Sequence, residues 1–389
     1  MAKRALLIGI NYPGTTEELK GCVNDVRRMY KCLVDRFGFA EEDIKVLIDT
    51  DKFYTQPTGK NIRHALSELI KPAKSGDVLF VHYSGHGTRV PLETGEEDDT
   101  GFDECIVPCD LNPIPDDDLR DLVEPVPEGC QITIISDSCH SGGLNEAKEQ
   151  IGESSNTTMP NREPKVYSLE FEIGNCFHSV FVKLLTFFGI GSSQEKPREI
   201  VEAVERDEVV KSRYLPLDSF INLLKQQTGK DNIDIGKIRP TLFDVFGEDS
   251  SPKVKKFMKV ILTKLMERRN DQSTLLRKIE ESDLEYMEQK LNDEHYGGES
   301  SNGLFPDRGI LLSGCQTEET SADVKKKESG EAFGAFSNAI QMVLSKTKED
   351  KITNKEMVLR AREILKKQGF TQRPGLYCND HFVDAPFIC

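Results

Sequence analysis

Three stretches, RALLIGI (4–10), DVLFVHYS (77–84) and CQITIISD (130–137), are near-continuous runs of apolar and β-branched residues. A strand with one wet face alternates polar and apolar side chains. A run without alternation belongs to a strand covered on both faces, as in parallel sheets. Parallel neighbours need long crossovers, usually helical, and the intervening segments supply them. VNDVRRMYKCLVDRFG (23–38) sets Val23, Met29, Cys32 and Leu33 at helical spacing with Gly38 as a stop; NIRHALSELIK (61–71) follows Thr58-Gly59 as a second helix. IKVLID (44–49) adds a strand. This rhythm specifies an α/β fold with a mostly parallel central sheet flanked by helices. In such sheets functional groups collect on loops beyond the carboxyl ends of the strands.

The rhythm breaks after residue 147. ESSNTTMPNREPK (153–165) is polar and turn-rich, 254–291 carries dense charge at helical spacing, and GGESSNG (297–303) punctuates it. Order returns with a strand at GILLSG (309–314), helices at 332–346 and 354–369, and short terminal strands at RPGLYCN (373–379) and APFIC (385–389). The chain therefore reads as three regions: 1–150 large, 151–303 a partly helical insertion, 304–389 small.

A net charge of −15 excludes nucleic acid as a partner, because phosphate would be repelled, and suits cations or Lys/Arg-rich polypeptides. The most apolar internal run, SVFVKLLTFFGIG (179–191), contains Lys183 and is shorter than the ~20 residues of a membrane span. It reads as a core or interfacial helix, so no membrane partner is expected. The N-terminal apolar run is too short for a signal-peptide core. Ten cysteines without an export signal imply a reducing compartment, expected to be the cytoplasm. None forms a CxxC pair.

Two strand ends carry chemistry. DVLFVHYS runs into SGHG, and CQITIISD into DSCHSGG. A thiol with an ordinary pKa near 8.5 needs a base or a positive environment to act as a nucleophile. His140 adjoins Cys139, but sequence neighbours on an extended chain point apart. His86, between Gly85 and Gly87, can emerge beside Cys139 if the two strands are close, and Gly142 and Gly143 permit close approach of a substrate backbone. Backbone N–H groups at Gly87 and Cys139 could stabilise an oxyanion. The 53 positions between His86 and Cys139 match the ~50 of caspases. Asp137, two residues before Cys139, shares its strand face and gives the cleft an acidic floor that favours Lys or Arg.

YSGHG (83–87) and DSCHSGG (137–143) resemble the catalytic signatures of metacaspases. ALLIGINYPGT, GCVNDVRRM, PTGKNI, GDVLFVHYSGHGTR, DDTGFDECIVPCD, LSGCQTEETSAD and QRPGLYCND extend the likeness to plant type II metacaspases over the whole chain. The resemblance implies a caspase-like α/β sandwich, His86 as base and Cys139 as nucleophile. It implies that Asp25 and Ser84 join Asp137 in the substrate pocket; a charge at the first turn of a helix is the plainer role for Asp25. Cys22 matches a second family cysteine and is expected to be structural.

ETGEEDDTGFDE (93–104) packs seven carboxylates into one loop and PDDDL (115–119) adds three. Such runs can be solvated faces, yet a hard cation taking roughly six to eight oxygens would relieve their repulsion. The resemblance implies calcium, with Asp103, Asp117 and Asp118 at one site and Glu96, Glu97, Asp98 and Glu104 as candidates for another. Relatives usually carry an acidic pair after the nucleophile; here GGLNEAKEQ leaves Glu146 alone.

The expected function is a calcium-dependent cysteine endopeptidase, monomeric, cleaving polypeptides after Arg or Lys, with its own insertion as first substrate. Self-cleavage is expected at Lys225: Pro216 and Asp218 start a short helix, Leu217, Phe220, Ile221 and Leu224 form its apolar stripe, and Gly229 ends it. Docked in the cleft, Lys225 would set its ammonium against Asp137; Lys211, Arg213 and Lys230 are neighbouring alternatives. A catalytically silent calcium-responsive binding module is the competing reading, and a zinc site from His82, His86 and Cys139 a third, lacking a fourth ligand.

Overall fold

The computed structural model describes residues 1–91, 102–138, 149–151, 208–233, 235–270, 309–316, 319–347 and 352–388. In chain order its elements are β1 (Lys3–Gly9), α1 (Cys22–Asp35), β2 (Ile44–Ile48), α2 (Gly59–Ile70), β3 (Val78–Ser84), β4 (Gly87–Pro91), β5 (Phe102–Ile106), β6 (Ile114–Pro115), α3 (Asp116–Val123), β7 (Gln131–Asp137), β8 (Glu149–Ile151) and β9 (Glu208–Ser212). They continue with α4 (Leu217–Thr228), α5 (Ile238–Phe246), α6 (Pro252–Asn270), β10 (Gly309–Ser313), β11 (Ala322–Lys326), β12 (Ala332–Gly334), α7 (Ala335–Lys346), α8 (Asn354–Lys367) and β13 (Gly375–Cys378).

The central sheet runs β2-β1-β3-β7-β10-β13-β8. Its first five strands are mutually parallel, and β13 and β8 continue it antiparallel. This is the mostly parallel sheet flanked by helices expected from the apolar runs, and the caspase-like architecture that the resemblance implies. Both sheet faces are covered, which is why β3 is buried at every position. Leu6, Ile8, Leu79, Val81 and Ile132 pack on one side with α2. Ala5, Leu7, Phe80 and Ile135 pack on the other with α1, α7 and α8. The period-2 alternation of a strand sends successive side chains to opposite cores. Helix starts follow local chemistry: Thr58 caps α2 by accepting from Asn61 N–H, and Thr353 with Glu356 closes a capping box on α8.

The described parts of the insertion are built into the core. Phe220, Ile221 and Leu224 of α4, Leu242 and Phe243 of α5, and Val254, Phe257 and Met258 of α6 join the same cluster as β1 and α2. Burying each large apolar side chain stabilises by about 1.5–3 kcal/mol, so these helices are anchored in that shared core. β9 pairs antiparallel with β11, which also pairs β12.

Two terminal expectations change. Residues 332–346 do not form one helix: Ala332–Gly334 pair with β11 before α7 begins. APFIC forms no strand among its described residues, only an isolated bridge from Thr353 to Pro386. Pro386 cannot donate to a ladder, and Phe387 and Ile388 serve as core anchors instead. The expected helix at 179–191 lies outside the described residues.

Candidate active site

β3 and β7 are neighbours in parallel register, with Ser84 opposite Asp137. Their carboxyl ends therefore open at one level, and His86 follows directly from the first. Cys139, with Gly142, Gly143 and Glu146, lies outside the described residues; the chain is described to Ser138, which is fully buried.

Asp25 enters the floor between these strand ends from the first turn of α1. Its carboxylate accepts the Ser84 hydroxyl at 2.8 Å and Gly334 N–H at 2.9 Å. Asp137 accepts the Ser321 hydroxyl at 2.6 Å and Ser337 N–H at 2.7 Å. Asp323 of β11 completes the wall, accepting Lys20 and Gly21 N–H. Gly334 is required by close approach: a Cβ there would meet Asp137 Oδ2 at 2.3 Å.

The three carboxylates surround Arg213, whose side chain is fully buried. Its Nη2 lies 2.8 Å from Asp25 and 3.0 Å from Asp323. Its Nη1 lies 3.3 Å from Asp137 Oδ2 and donates to Ser84 Oγ and the Asp137 carbonyl, each at 2.8 Å. Three carboxylates against one guanidinium leave the pocket negative. Burial, opposed by Arg213 and supplemented by the charge of Asp137, pushes the Asp25 carboxyl up to about 6.

The backbone of Arg213 is presented like a substrate. It continues β9, with its N–H donating to Ser321 O at 2.8 Å. Its carbonyl accepts Gly87 N–H at 3.0 Å and lies 3.1 Å from His86 Nδ1. On the far side, Leu215 N–H donates to Gly87 O at 2.9 Å. His86 Nε2 donates to the Glu17 carbonyl at 2.7 Å, its backbone N–H donates to Tyr12 Oη at 2.9 Å, and its ring lies 4.7 Å from that of Tyr12. These contacts fix the ring and aim Nδ1 at the Arg213 carbonyl. Burial holds the imidazole below its ordinary pKa, against the Glu17 and Arg213 carbonyls, which favour the protonated ring.

Residues 3–147 match the family described as "Metacaspase, peptidase C14 domain". Metacaspase-7 of Arabidopsis thaliana is 81% identical, with all of both chains covered. The chain belongs to the metacaspase family. Metacaspase-4 of the same plant is 55% identical over all of both chains, and Metacaspase-9 is 38% identical, covering 99% of this chain and 96% of its own. The likeness to plant type II metacaspases noted in the sequence thus holds over the full length, and the family makes this a cysteine peptidase.

The structure sets Asp25, Ser84, Asp137 and His86 at the carboxyl ends of β3 and β7. It does not bring Lys225 to them. Lys225 lies in the last turn of α4, where its carbonyl accepts Gly229 N–H at 2.9 Å. A carbonyl closed into a helix turn is not in the extended form that a peptidase cuts. The stripe Phe220, Ile221 and Leu224 is real, and it is buried in the apolar cluster shared with α2, beside β4. Arg213, an alternative for Lys225 in the sequence, holds the pocket. Asp323 was missed; its only signal was a lone carboxylate in SADVKK, the end of a segment resembling the family.

The acidic segments are also rearranged. Glu96, Glu97 and Asp98 lie outside the described residues. Among the described residues, carboxylate oxygens of Asp103, Asp116 and Asp117 lie within 4.8 Å of one another. Asp116 takes the place expected for Asp118, whose carboxylate instead accepts Lys253 N–H at 3.1 Å. Glu104 pairs with Arg89 at 3.2 Å within the β4–β5 ladder. Burial, with Asp117, Glu104 and Asp103 nearby, pushes the Asp116 carboxyl well above its ordinary range. A crowded all-oxygen set fits a hard cation such as calcium. His82 is committed to Ser337 Oγ at 3.1 Å inside β3, where burial lowers its pKa to about 4. Cys22 is buried in the core.

Among the described residues no helix is long and apolar enough to cross a membrane.

Proposed function

We propose that the protein is the zymogen of a calcium-triggered cysteine endopeptidase that cleaves after Arg or Lys, and that Arg213–Tyr214 is the bond it cuts in itself. The observation carrying this reading is that one residue satisfies two independent tests. The Arg213 side chain fills a three-carboxylate pocket, while its carbonyl lies against Gly87 N–H and His86 Nδ1.

In this reading Cys139 Sγ attacks the Arg213 carbonyl carbon as His86 takes the thiol proton. Negative charge gathers on the carbonyl oxygen, where Gly87 N–H already donates. The C–N bond to Tyr214 breaks, and the proton passes from His86 to the leaving nitrogen. Water then hydrolyses the thioester, regenerating the thiol. Polypeptide substrates would replace β9 as a strand on β11, with Arg or Lys in the pocket of Asp25, Ser84, Asp137 and Asp323.

Asp103, Asp116 and Asp117 would hold the calcium, with Glu96, Glu97 and Asp98 as further acidic groups; bound there it would neutralise clustered negative charge. Action as a cytoplasmic monomer belongs to the same proposal. The test is the new N-terminus formed when calcium is added to the full chain: Tyr214-Leu215-Pro216 supports the reading. A cut after Lys225, or none, rejects it.

A further inference from the structure

The Asp103–Asp116–Asp117 cluster is met by cations from the insertion. Lys253, at the start of α6, sets Nζ 2.5 Å from Asp103 Oδ1 and 2.7 Å from Asp117 Oδ2. Its side chain is 10% exposed. Arg239 of α5 pairs with the other oxygen, Asp103 Oδ2. Arg120, one turn on from Asp117 in α3, pairs with that residue as well.

Oxygens that a metal ion would use are therefore engaged by side chains. A divalent ion carries the same charge as Lys253 and Arg239 together. Adding it without expelling either would crowd like charges into the space of one coordination sphere, in surroundings that screen them poorly. Lys253 is also the hinge of the arrangement. Its ammonium holds the cluster, its N–H holds Asp118, and four and five residues further on Phe257 and Met258 enter the core cluster shared with α4. From α4 the chain runs back through Pro216 and Leu215 to Arg213.

We propose that Lys253 is a built-in occupant of this carboxylate cluster, so that a divalent cation and the docked start of α6 compete for the same oxygens. A cation that wins the cluster frees the first turn of α6 and loosens the insertion whose other end holds Arg213 in the pocket. The regulatory consequence rests on the zymogen reading above; the competition is a binding equilibrium that needs no cleavage.

The test uses full-length protein carrying Cys139→Ala, which cannot process itself through that thiol, titrated with calcium by calorimetry. An internal competitor lowers apparent affinity by the fraction of time the site is open, so Lys253→Met should tighten calcium binding about tenfold or more. Lys253→Arg, which keeps the competing charge, should stay near the parent. Asp117→Asn added to Lys253→Met should cancel the gain, assigning it to this cluster and not to other acidic loops. Hydrogen exchange in the Lys253-containing parent should quicken at residues 253–258 when calcium is added. Unchanged calcium affinity in Lys253→Met, or a gain that survives Asp117→Asn, overturns the proposal. Should Lys253→Met fail to fold, unaltered exchange at 253–258 overturns it alone. Loss of cleavage after Arg in the active enzyme would sink the zymogen reading and leave this binding result standing.

Discussion

Arg213→Gln tests what holds the insertion in the cleft. The substitution leaves a polar side chain about two bonds shorter and removes the charge that offsets Asp25, Asp137 and Asp323. The guanidinium lies 2.8 Å from Asp25, 3.0 Å from Asp323 and 3.3 Å from Asp137 Oδ2, and donates at 2.8 Å to Ser84 and to the Asp137 carbonyl. Breaking a buried ion pair from one side costs about 3–5 kcal/mol. The glutamine amide can recover one neutral hydrogen bond, about 1 kcal/mol. The remaining ~2–4 kcal/mol corresponds to a roughly 30- to 1,000-fold fall in the docked population, at about 1.4 kcal/mol per tenfold. The assay is hydrogen exchange without calcium in Cys139→Ala protein, because docking protects defined amides: Arg213 N–H donates to Ser321 O and Leu215 N–H to Gly87 O. Exchange across 208–215 should accelerate by up to that factor in Arg213→Gln. Arg213→Lys should be intermediate, since an ammonium is a point charge that cannot span the carboxylates as a fork does. Identical exchange in parent and Arg213→Gln would refute the idea that the pocket holds the insertion.

Two further predictions concern the pocket itself. In the processed enzyme, Arg and Lys substrates should be cut in preference to Asp, and Asp323→Asn should raise KM for Arg substrates about 10- to 100-fold, the worth of a hydrogen bond to a charged group, with kcat less affected. Unchanged KM would remove Asp323 from the pocket. Asp25 supplies a pH signature: its folded pKa, near 6, is above its unfolded value, so its stabilising contribution is full at acid pH and lost as pH rises through about 6. Urea midpoints at pH 5 and 7 in Cys139→Ala protein should show that loss, and Asp25→Asn should show less of it. Equal pH dependence in the two proteins would contradict the assignment.

The sheet was readable because strands buried on both faces leave short apolar, β-branched runs, here alternating with helical segments, and β1, β3 and β7 all appear where those runs lie. Asp137 was legible from its i−2 relation to Cys139, and Asp25 and Ser84 from resemblance. The occupant of the pocket was not. The helix around Lys225 has the stronger local signature, an apolar stripe with a start and a glycine stop, and amphipathicity reports that a segment docks without saying where. Arg213 sits in a short extended stretch with no periodic signal. Its importance comes from β9 pairing with β11, whose Asp323 is 110 positions away. The same limit hid Asp116 and Lys253: the triplet at 116–118 shows three carboxylates, but only the start of α3 decides which of them faces Asp103.

The most direct measurement is the identity of the first fragment released when calcium is added to the intact chain, followed by N-terminal sequencing and intact mass over the earliest minutes. Cys139→Ala should give no fragment. Wild type should give a piece beginning Tyr214-Leu215-Pro216, and Arg213→Gln should lose that cut. A first piece beginning Gln226-Gln227-Thr228 in wild type would contradict the account, because it would place in the cleft a lysine whose carbonyl the structure closes into α4.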